Sequence, residues 1–367
     1  MQKVVQLSSV HVVGDARVFY KISSSLAERG YDVDLIIQAE KDFKKNGVSV
    51  KSIPLAKTKV HRLFVTLPSL IIKAIDYPKN TIFHFHDPEL IVVGLFLKLV
   101  GYKVIYDVHE DVPLDVLTKH WIPFWLRNKL SKSIKKIEEF SAKRFDAVIT
   151  VVPSITERFD NTKVVEIRNY PDYEDYSEQV LQQDASEKYV VYIGDLTSRR
   201  GIPGMVEAME YLDDEVTFKL AGTFSEDGLL GKLKKKKGWR NTEHMGWICQ
   251  EEAGTLLRGA IAGLLTLEKV PSHMGSLPVK LFEYMMAGIP VISSDVPLWK
   301  EIINENSCGI IVDHANPEEI AEAINYLLAN PDKAKKMGQN GMKAIKEKYN
   351  WQKEKEKLLQ LYRELSV

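Results

Sequence analysis

Short apolar runs alternate with amphipathic helical patterns along the chain, and the alternation occurs twice. Residues 4–8 read as a strand, 17–29 as a helix stopped by Gly30, and 34–38 as the next strand. Further apolar runs at 81–86, 103–107 and 147–151 are separated by helical patterns. This rhythm predicts a parallel sheet covered on both faces. Residues 171–188 break it: Asp172, Glu174, Asp175, Glu178, Asp184 and Glu187 occur there with few large aliphatics, the pattern of an interdomain linker. The rhythm then restarts. Strands are predicted at 189–193, 216–220, 291–293 and 309–312, with an apolar run at 261–267 and helices over 317–329, 331–349 and 352–365. Two doubly wound α/β domains joined by a linker leave a cleft, and ligands in such sheets bind beyond the carboxyl ends of the strands.

At 367 residues the chain is long enough for two such domains. Lys+Arg and Asp+Glu both number 50, so any electropositive surface is local and the chain as a whole points to no nucleic-acid partner. Two cysteines, Cys249 and Cys308, exclude a disulfide scaffold and suggest a reducing compartment. No run approaches the ~18 apolar residues of a membrane span, and the opening residues enter a strand without a signal-peptide pattern. The expectation is a cytoplasmic protein.

The most informative segment begins Ser276-Leu277-Pro278-Val279-Lys280-Leu281-Phe282-Glu283-Tyr284-Met285 and ends in Gly288-Ile289-Pro290. It predicts a short helix with Pro in its first turn, running into a strand. A helix start presents unpaired N–H groups and a positive dipole end, which suits a phosphate. Lys280 and Glu283 share one helical face behind it. A cation for phosphate and a carboxylate for ribose hydroxyls suit a nucleotide.

Other candidates lie at predicted strand ends. In Phe83-His84-Phe85-His86-Asp87, alternation puts both histidines on the face opposite the phenylalanines, with His86 and Asp87 at the lip. Tyr106-Asp107-Val108-His109-Glu110-Asp111 brings polar groups to the next edge, as site residues or as loop acids with a helix cap. In the first loop, Gly14 suits close backbone approach to a ligand, and Asp15 suits either that loop or an N-cap. In Ile193-Gly194-Asp195-Leu196-Thr197-Ser198-Arg199-Arg200-Gly201, the paired arginines suit phosphate, or form a solvated turn. Residues 119–136, from Lys119 to Lys136, hold no acid and two tryptophans. They read either as an interfacial contact with an anionic membrane or as a surface helix with buried aromatics. Asp32-Val33-Asp34 is a lone D-x-D with no further metal ligands nearby, and Lys234 to Lys237 reads as a solvated turn.

Taken in order, these motifs resemble the family 4 retaining glycosyltransferases (glycosyl transferases group 1). The likeness includes the Ser-Ser-Val-His opening with Asp15-Ala16-Arg17, the His84 and His109 segments, Gly194 to Gly201, Leu220-Ala221-Gly222, Met245-Gly246-Trp247, the Ser276 segment and Tyr349-Asn350-Trp351. It resembles in particular a subgroup with a Ser-Leu-Pro-x-Lys-Leu-Phe-Glu-Tyr-Met signature, found in bacterial or archaeal cell-surface polysaccharide synthesis. The resemblance implies a GT-B fold, two Rossmann-like domains facing each other across a cleft. The expected acceptor-side domain covers 1–172, the linker 173–187, the nucleotide-sugar domain 188–350, and a final helix over 351–367 crosses back to the first domain. It implies transfer of a sugar from a UDP- or GDP-sugar to a glycan or lipid-linked acceptor at the inner face of a membrane, with no metal or cofactor. Glu283 is implied at the ribose, Leu277, Pro278 and Val279 at the diphosphate, and Arg200 and Lys280 as its counter-charges. His86 is implied near the donor sugar. Gly14, Asp15, Asp87, His109, Glu110, Gly194, Arg199, Gly222 and Ile248 complete the expected binding set. The chain departs from the family pattern at Gly275, where a glutamate is frequent, and at Asp195, where an arginine is frequent; Arg199 and Glu268 are the nearby candidates for those contacts. Three rival readings accompany this one: a sugar-nucleotide epimerase of the same fold, a hydrolase with a metal on His84, His86 and His109, and a non-catalytic nucleotide-sugar-binding protein.

Overall fold

A computed structural model describes residues 1–55, 66–119, 121–159, 163–173 and 187–366. The chain forms two compact units, Met1–Asn169 with Trp351–Val367, and Tyr170–Asn350. The expected linker at 173–187 falls, from 174 to 186, outside the described residues.

The first unit is built on eight strands: β1 (Lys3–Val12), β2 (Asp32–Gln38), β3 (Phe43–Lys45), β4 (Val48–Ile53), β5 (Ile82–Phe85), β6 (Lys103–Val108), β7 (Ala147–Thr150) and β8 (Val164–Glu166). Their order is β3-β4-β2-β1-β5-β6-β7-β8. All neighbours are parallel except the β3–β4 hairpin. From β1 the chain builds outward on one side through β2, then returns to the other side with β5. The order therefore reverses between β1 and β5, the place where open α/β sheets bind ligands.

The helix predicted over 17–29 is present in two forms. Ala16–Ser23 has wide π-type turns and Ser24–Glu28 is α-helical. The Ser23 hydroxyl donates to Val18 O at 2.6 Å and the Ser24 hydroxyl to Phe19 O at 3.0 Å, each reaching five residues back. These side-chain bonds stabilise the wide turns.

The last helix, Trp351–Leu365, belongs to this first unit. Its apolar stripe buries Trp351, Leu358, Leu359, Leu361 and Tyr362 among Val4, Phe19, Leu26 and Ile82. Trp351 Nε1 donates to Ser25 Oγ at 3.0 Å, and the Glu354 carboxylate accepts the Arg168 amide at 2.8 Å.

The second unit has six parallel strands: β9 (Lys188–Ile193), β10 (Val216–Ala221), β11 (Thr242–Gly246), β12 (Ala262–Leu265), β13 (Val291–Ser294) and β14 (Gly309–Val312). The order β11-β10-β9-β12-β13-β14 reverses between β9 and β12. Each unit is thus doubly wound, with its switch point at the end of its first strand.

Candidate active site

In the first unit the switch point carries a hydrogen-bonded network of buried polar groups. Gln6 on β1 stands beside His84 on β5 in the parallel register. Arg17 clamps Asp107 in a two-pronged ion pair, Nε to Oδ2 at 2.8 Å and an η nitrogen to Oδ1 at 2.7 Å. His86 Nδ1 donates to Asp107 Oδ2 at 2.9 Å, and its Nε2 lies 2.8 Å from the Gln6 amide oxygen. Gln6 meets the Tyr362 hydroxyl at 2.9 Å, which meets His84 Nδ1 at 2.9 Å. Burial disfavours the Asp107 anion, but the charge and hydrogen bonds of Arg17, with that of His86, hold its carboxyl well below the usual range. Burial pushes His84 well below the usual imidazole range, so it stays neutral.

His86 and Asp87 were expected against the substrate. Both are buried with their polar atoms engaged. Asp87 Oδ2 accepts from the Ser9 amide at 2.6 Å, Ser8 Oγ at 2.9 Å and Ser9 Oγ at 3.2 Å, while Oδ1 faces His11 Nδ1 at 3.1 Å. These two residues build the edge; the imidazoles that face outward are His11 and His109. Their rings lie 5.1 Å apart with an interplanar angle of 57°. His11 was not singled out as a site residue from sequence, although it closes the Ser-Ser-Val-His opening at the end of the first strand. Asp15 serves as the N-cap, its Oδ1 accepting from the Arg17 and Val18 amides at 2.9 and 2.7 Å. Gly14 is exposed with φ of 116°, and Glu110 is exposed. Asp111 caps the next helix through the Leu114 amide.

The metal reading of this cluster meets a chemical obstacle. His84, His86 and Asp107 bring ligand atoms within 4.8 Å of one another. Yet both Asp107 oxygens are already bound by a guanidinium, a fixed positive charge where a cation would sit. The Asp32 and Asp34 pair is likewise already bridged by a cation, Lys3 Nζ at 3.1 and 2.7 Å.

In the second unit the expected helix spans Val279–Met286 with Pro278 as its N-cap residue in an extended conformation. No side chain caps it, so its first amides remain open. Trp299 Nε1 donates to Ser276 O at 2.7 Å and fixes the approach to the helix. Lys280 reaches back to the end of β9, its Nζ 5.5 Å from the Tyr192 ring centroid and packed on Gly194. A Cβ on Gly194 would lie 2.5 Å from Lys280 Nζ, and one on Gly222 only 1.7 Å from Gly194 O. Two glycines at strand ends, with φ of 146° and 137°, therefore let the loops after β9 and β10 close on the lysine.

Burial lowers the Lys280 pKa; Glu283 opposes that shift and Arg200 adds to it. Arg200 closes a short 3₁₀ turn, Ser198–Arg200, whose Thr197 side chain accepts the Arg200 amide. Arg199 O accepts the Glu268 amide at 3.1 Å, which ties the loop after β12 to the loop after β9. Arg200, Lys280 and Glu283 make no ion pair or hydrogen bond through their charged groups among the described residues. Leu277, Ile248 and Val279 are half-buried beside them in sequence or at the strand ends. Asp195 is exposed. Gathered charges without partners, at an open helix start and a sheet switch point, have the form of an anion-binding site.

Residues 119–136 give a different result from a helix with buried aromatics. The helix Phe124–Ala142 leaves Phe124 and Trp125 80% and 71% exposed, with Trp121 just before it 67% exposed. His120 lies outside the described residues.

Residues 13–168 match the family Glycosyltransferase Family 4, and residues 174–344 match the family Glycosyl transferases group 1. The chain is 24% identical over 317 residues to an uncharacterized glycosyltransferase of Methanocaldococcus jannaschii, covering 78% of this chain and 86% of that protein. It is 24% identical over 262 residues to alpha-maltose-1-phosphate synthase of Mycolicibacterium smegmatis, covering 66% of each. Among solved structures it is similar to sucrose-phosphate synthase of Thermosynechococcus elongatus, with a TM-score of 0.79, 20% identity, and coverage of 100% of this chain and 99% of that one. The Anabaena protein HepE, in complex with UDP-glucose, gives a TM-score of 0.75 at 15% identity, covering 99% of this chain and 100% of that one.

Proposed function

The chain belongs to the family 4 glycosyltransferases of GT-B fold and is a glycosyltransferase; from that premise we propose that it moves a sugar from a nucleoside diphosphate sugar, with retention at the anomeric carbon, to a glycan or lipid-linked acceptor. The observation that carries the donor assignment is the unpaired set Lys280, Arg200 and Glu283 at the open start of Val279–Met286. The UDP-glucose bound by HepE is in keeping with it.

The chemical demand is charge building on the leaving diphosphate. The N–H groups of Leu277 and Val279 on either side of Pro278, with Lys280 and Arg200, supply positive potential there without a metal. Glu283 accepts hydrogen bonds from the ribose hydroxyls. In the first unit His86 and Asp107 hold the sheet edge from behind, and His109 faces the substrate. Cell-surface polysaccharide assembly at the cytoplasmic face of a membrane is the proposed setting. The exposed Trp121, Phe124 and Trp125 support peripheral contact there. No described helix is long and apolar enough to cross a membrane.

A thermal-shift panel of UDP, GDP and their sugars identifies the donor, since a ligand that binds the native state raises its melting temperature. With that nucleotide, Glu283→Ala is expected to weaken binding by about 1–3 kcal/mol in calorimetry, the loss of hydrogen bonds to a charged group. Unchanged affinity would remove Glu283 from the ribose. Conversion of the donor to a second nucleotide sugar without acceptor would replace transfer by epimerisation.

A further inference from the structure

The loop after β12 reaches the helix Val279–Met286 through a turn that fixes one side chain, His273. The Glu268 carbonyl accepts the Val270 amide at 2.9 Å and His273 Nδ1 at 2.7 Å. The His273 amide donates to Val270 O at 2.9 Å. The His273 carbonyl accepts the Ser276 amide at 3.2 Å and the Ser276 hydroxyl at 3.1 Å. Ser276 is in turn held by Trp299, and the Glu268 amide by Arg199 O. His273 therefore stands where the loop after β9, the loop after β12 and the open helix start meet, four residues before Leu277.

The bonds of the ring decide what it can recognise. A carbonyl only accepts, so Nδ1 carries the proton and Nε2 of the neutral ring holds a lone pair. His273 is half-buried, and its Nε2 has no hydrogen-bond partner among the described residues. Burial lowers the His273 pKa, the bond to Glu268 opposes that, and Arg200 and Arg199 lower it further; the result lies below 6.5, so the ring is neutral at pH 7. A lone pair is the wrong partner for a phosphate oxygen, which also only accepts. It suits a hydroxyl, which donates to Nε2 and keeps its own lone pairs for a neighbouring cation.

We propose that His273 Nε2 accepts a hydrogen bond from a hydroxyl of the donor sugar and so helps to select which sugar is used. The assignment rests on the nucleotide-sugar reading above, and every group in it belongs to the second unit. The sugar is joined to the diphosphate, and the diphosphate is assigned to the helix start that the His273 turn leads into. Gly275, between the two, brings no side chain to the sugar. Glu268 lines a cavity with Gly204, His314 and Pro317, at the starts of the helices Ile202–Ala208 and Pro317–Ala329.

The test separates the sugar from the nucleotide. Calorimetry on the full chain with UDP and UDP-glucose, and with GDP and GDP-mannose, selects the pair that binds. His273→Asn puts an amide nitrogen in the place of Nδ1, which keeps the bond to Glu268 O and removes Nε2. It should hold the affinity for the nucleoside diphosphate within about twofold and weaken that for the nucleotide sugar roughly 5–20-fold, the scale of one lost hydrogen bond with its partner left unmet. His273→Gln, whose amide extends to the position of Nε2, should recover part of the loss. Analogues of the same nucleotide sugar with fluorine in place of one hydroxyl at a time locate the contact, since fluorine cannot donate. Wild type should lose affinity at one position, and His273→Asn should be indifferent to that replacement; a merely structural role would penalise every analogue, and the bare nucleotide, alike.

A His273→Asn chain that melts like wild type and keeps the full affinity for the nucleotide sugar overturns the assignment, as does an equal loss for nucleotide and nucleotide sugar. Loss of the sugar contribution in Glu268→Gln but not in His273→Asn gives the contact to Glu268 instead. Each of these leaves the nucleotide-sugar reading standing. A wild-type chain that binds neither nucleotide nor nucleotide sugar overturns both.

Discussion

At the scale of single residues, electrostatics decides which groups work and which hold. Asp87 is a holding group. Burial would push its carboxyl up, but His11, the Ser9 amide and the Ser8 hydroxyl bring it down to about 2 from an ordinary 3.8. A folded-state pKa below the unfolded one stabilises the native state above pH ~4, and that stability is lost as pH falls toward 2. The shift corresponds to about 2 kcal/mol. Chemical denaturation of wild type and Asp87→Asn should therefore differ by roughly this amount at pH 7, and the gap should narrow between pH 4 and 2. A gap that stays constant across that window would mean that Asp87 is not ionised against these donors. Lys280 behaves in the opposite sense. Burial lowers its pKa below the 10.5 of a free lysine, so the charge it offers to a diphosphate is lost earlier as pH rises. Nucleotide affinity should drop on the alkaline side before 10.5. Lys280→Arg, which keeps its proton throughout, should flatten that limb. An identical alkaline profile in the two proteins would take Lys280 out of the diphosphate site.

At the scale of elements, the last helix shows how a remote segment supports the site. Trp351 anchors its start through Ser25, and Tyr362 joins its far end to Gln6 and His84. Trp351→Ala removes a fully buried indole and should cost about 3–5 kcal/mol in equilibrium unfolding; a cost below about 1 kcal/mol would mean that the helix end is not seated there. This helix was legible in the sequence because its apolar residues recur at helical spacing over four turns. So were β1, β2, β5, β9 and β10, whose apolar runs are long enough to mark buried parallel strands. The edges were not legible. β3 is short and carries two lysines, and β11 has the polar sequence Thr-Glu-His-Met-Gly; edge strands need not be apolar on both faces. The donor segment was read from a local motif, since a helix start, a lysine and a glutamate lie within one short stretch. The contact of His11 with Asp87 and His109 was invisible for the opposite reason. Its carboxylate arrives from β5 and its stacking partner from β6, and only the sheet order brings the three together. His86 was overvalued because strand alternation gives the face a residue points to, not what waits there to bind it.

At the scale of the whole molecule, equal numbers of basic and acidic residues leave no net charge to draw the protein to an anionic surface. Attraction has to come from one place. The helix Phe124–Ala142 supplies it by segregation. Lys129, Lys132, Lys136 and Lys143 are exposed at helical spacing with Trp125 and Phe140 among them. Of its two acids, Glu138 turns inward, to the Tyr106 hydroxyl at 3.0 Å and to Arg158, and Glu139 is half-buried with Lys135 Nζ 3.8 Å away. Basic residues near an anionic bilayer contribute about 1 kcal/mol each, and exposed tryptophans favour the interface. The chain should therefore co-sediment with phosphatidylglycerol vesicles at low salt, far less with phosphatidylcholine, and progressively less as salt screens the lysines. Lys132→Ala with Lys136→Ala should weaken partitioning by about 2 kcal/mol, roughly 30-fold. Trp125→Ala should weaken binding to both lipids while leaving the salt dependence in place, because it removes apolar contact and no charge. Both sets of variants should keep their nucleotide affinity, since these residues and the donor loops belong to different units. Wild-type protein that stays in the supernatant with phosphatidylglycerol at low salt would end the membrane reading, and the acceptor would then be sought among soluble glycans.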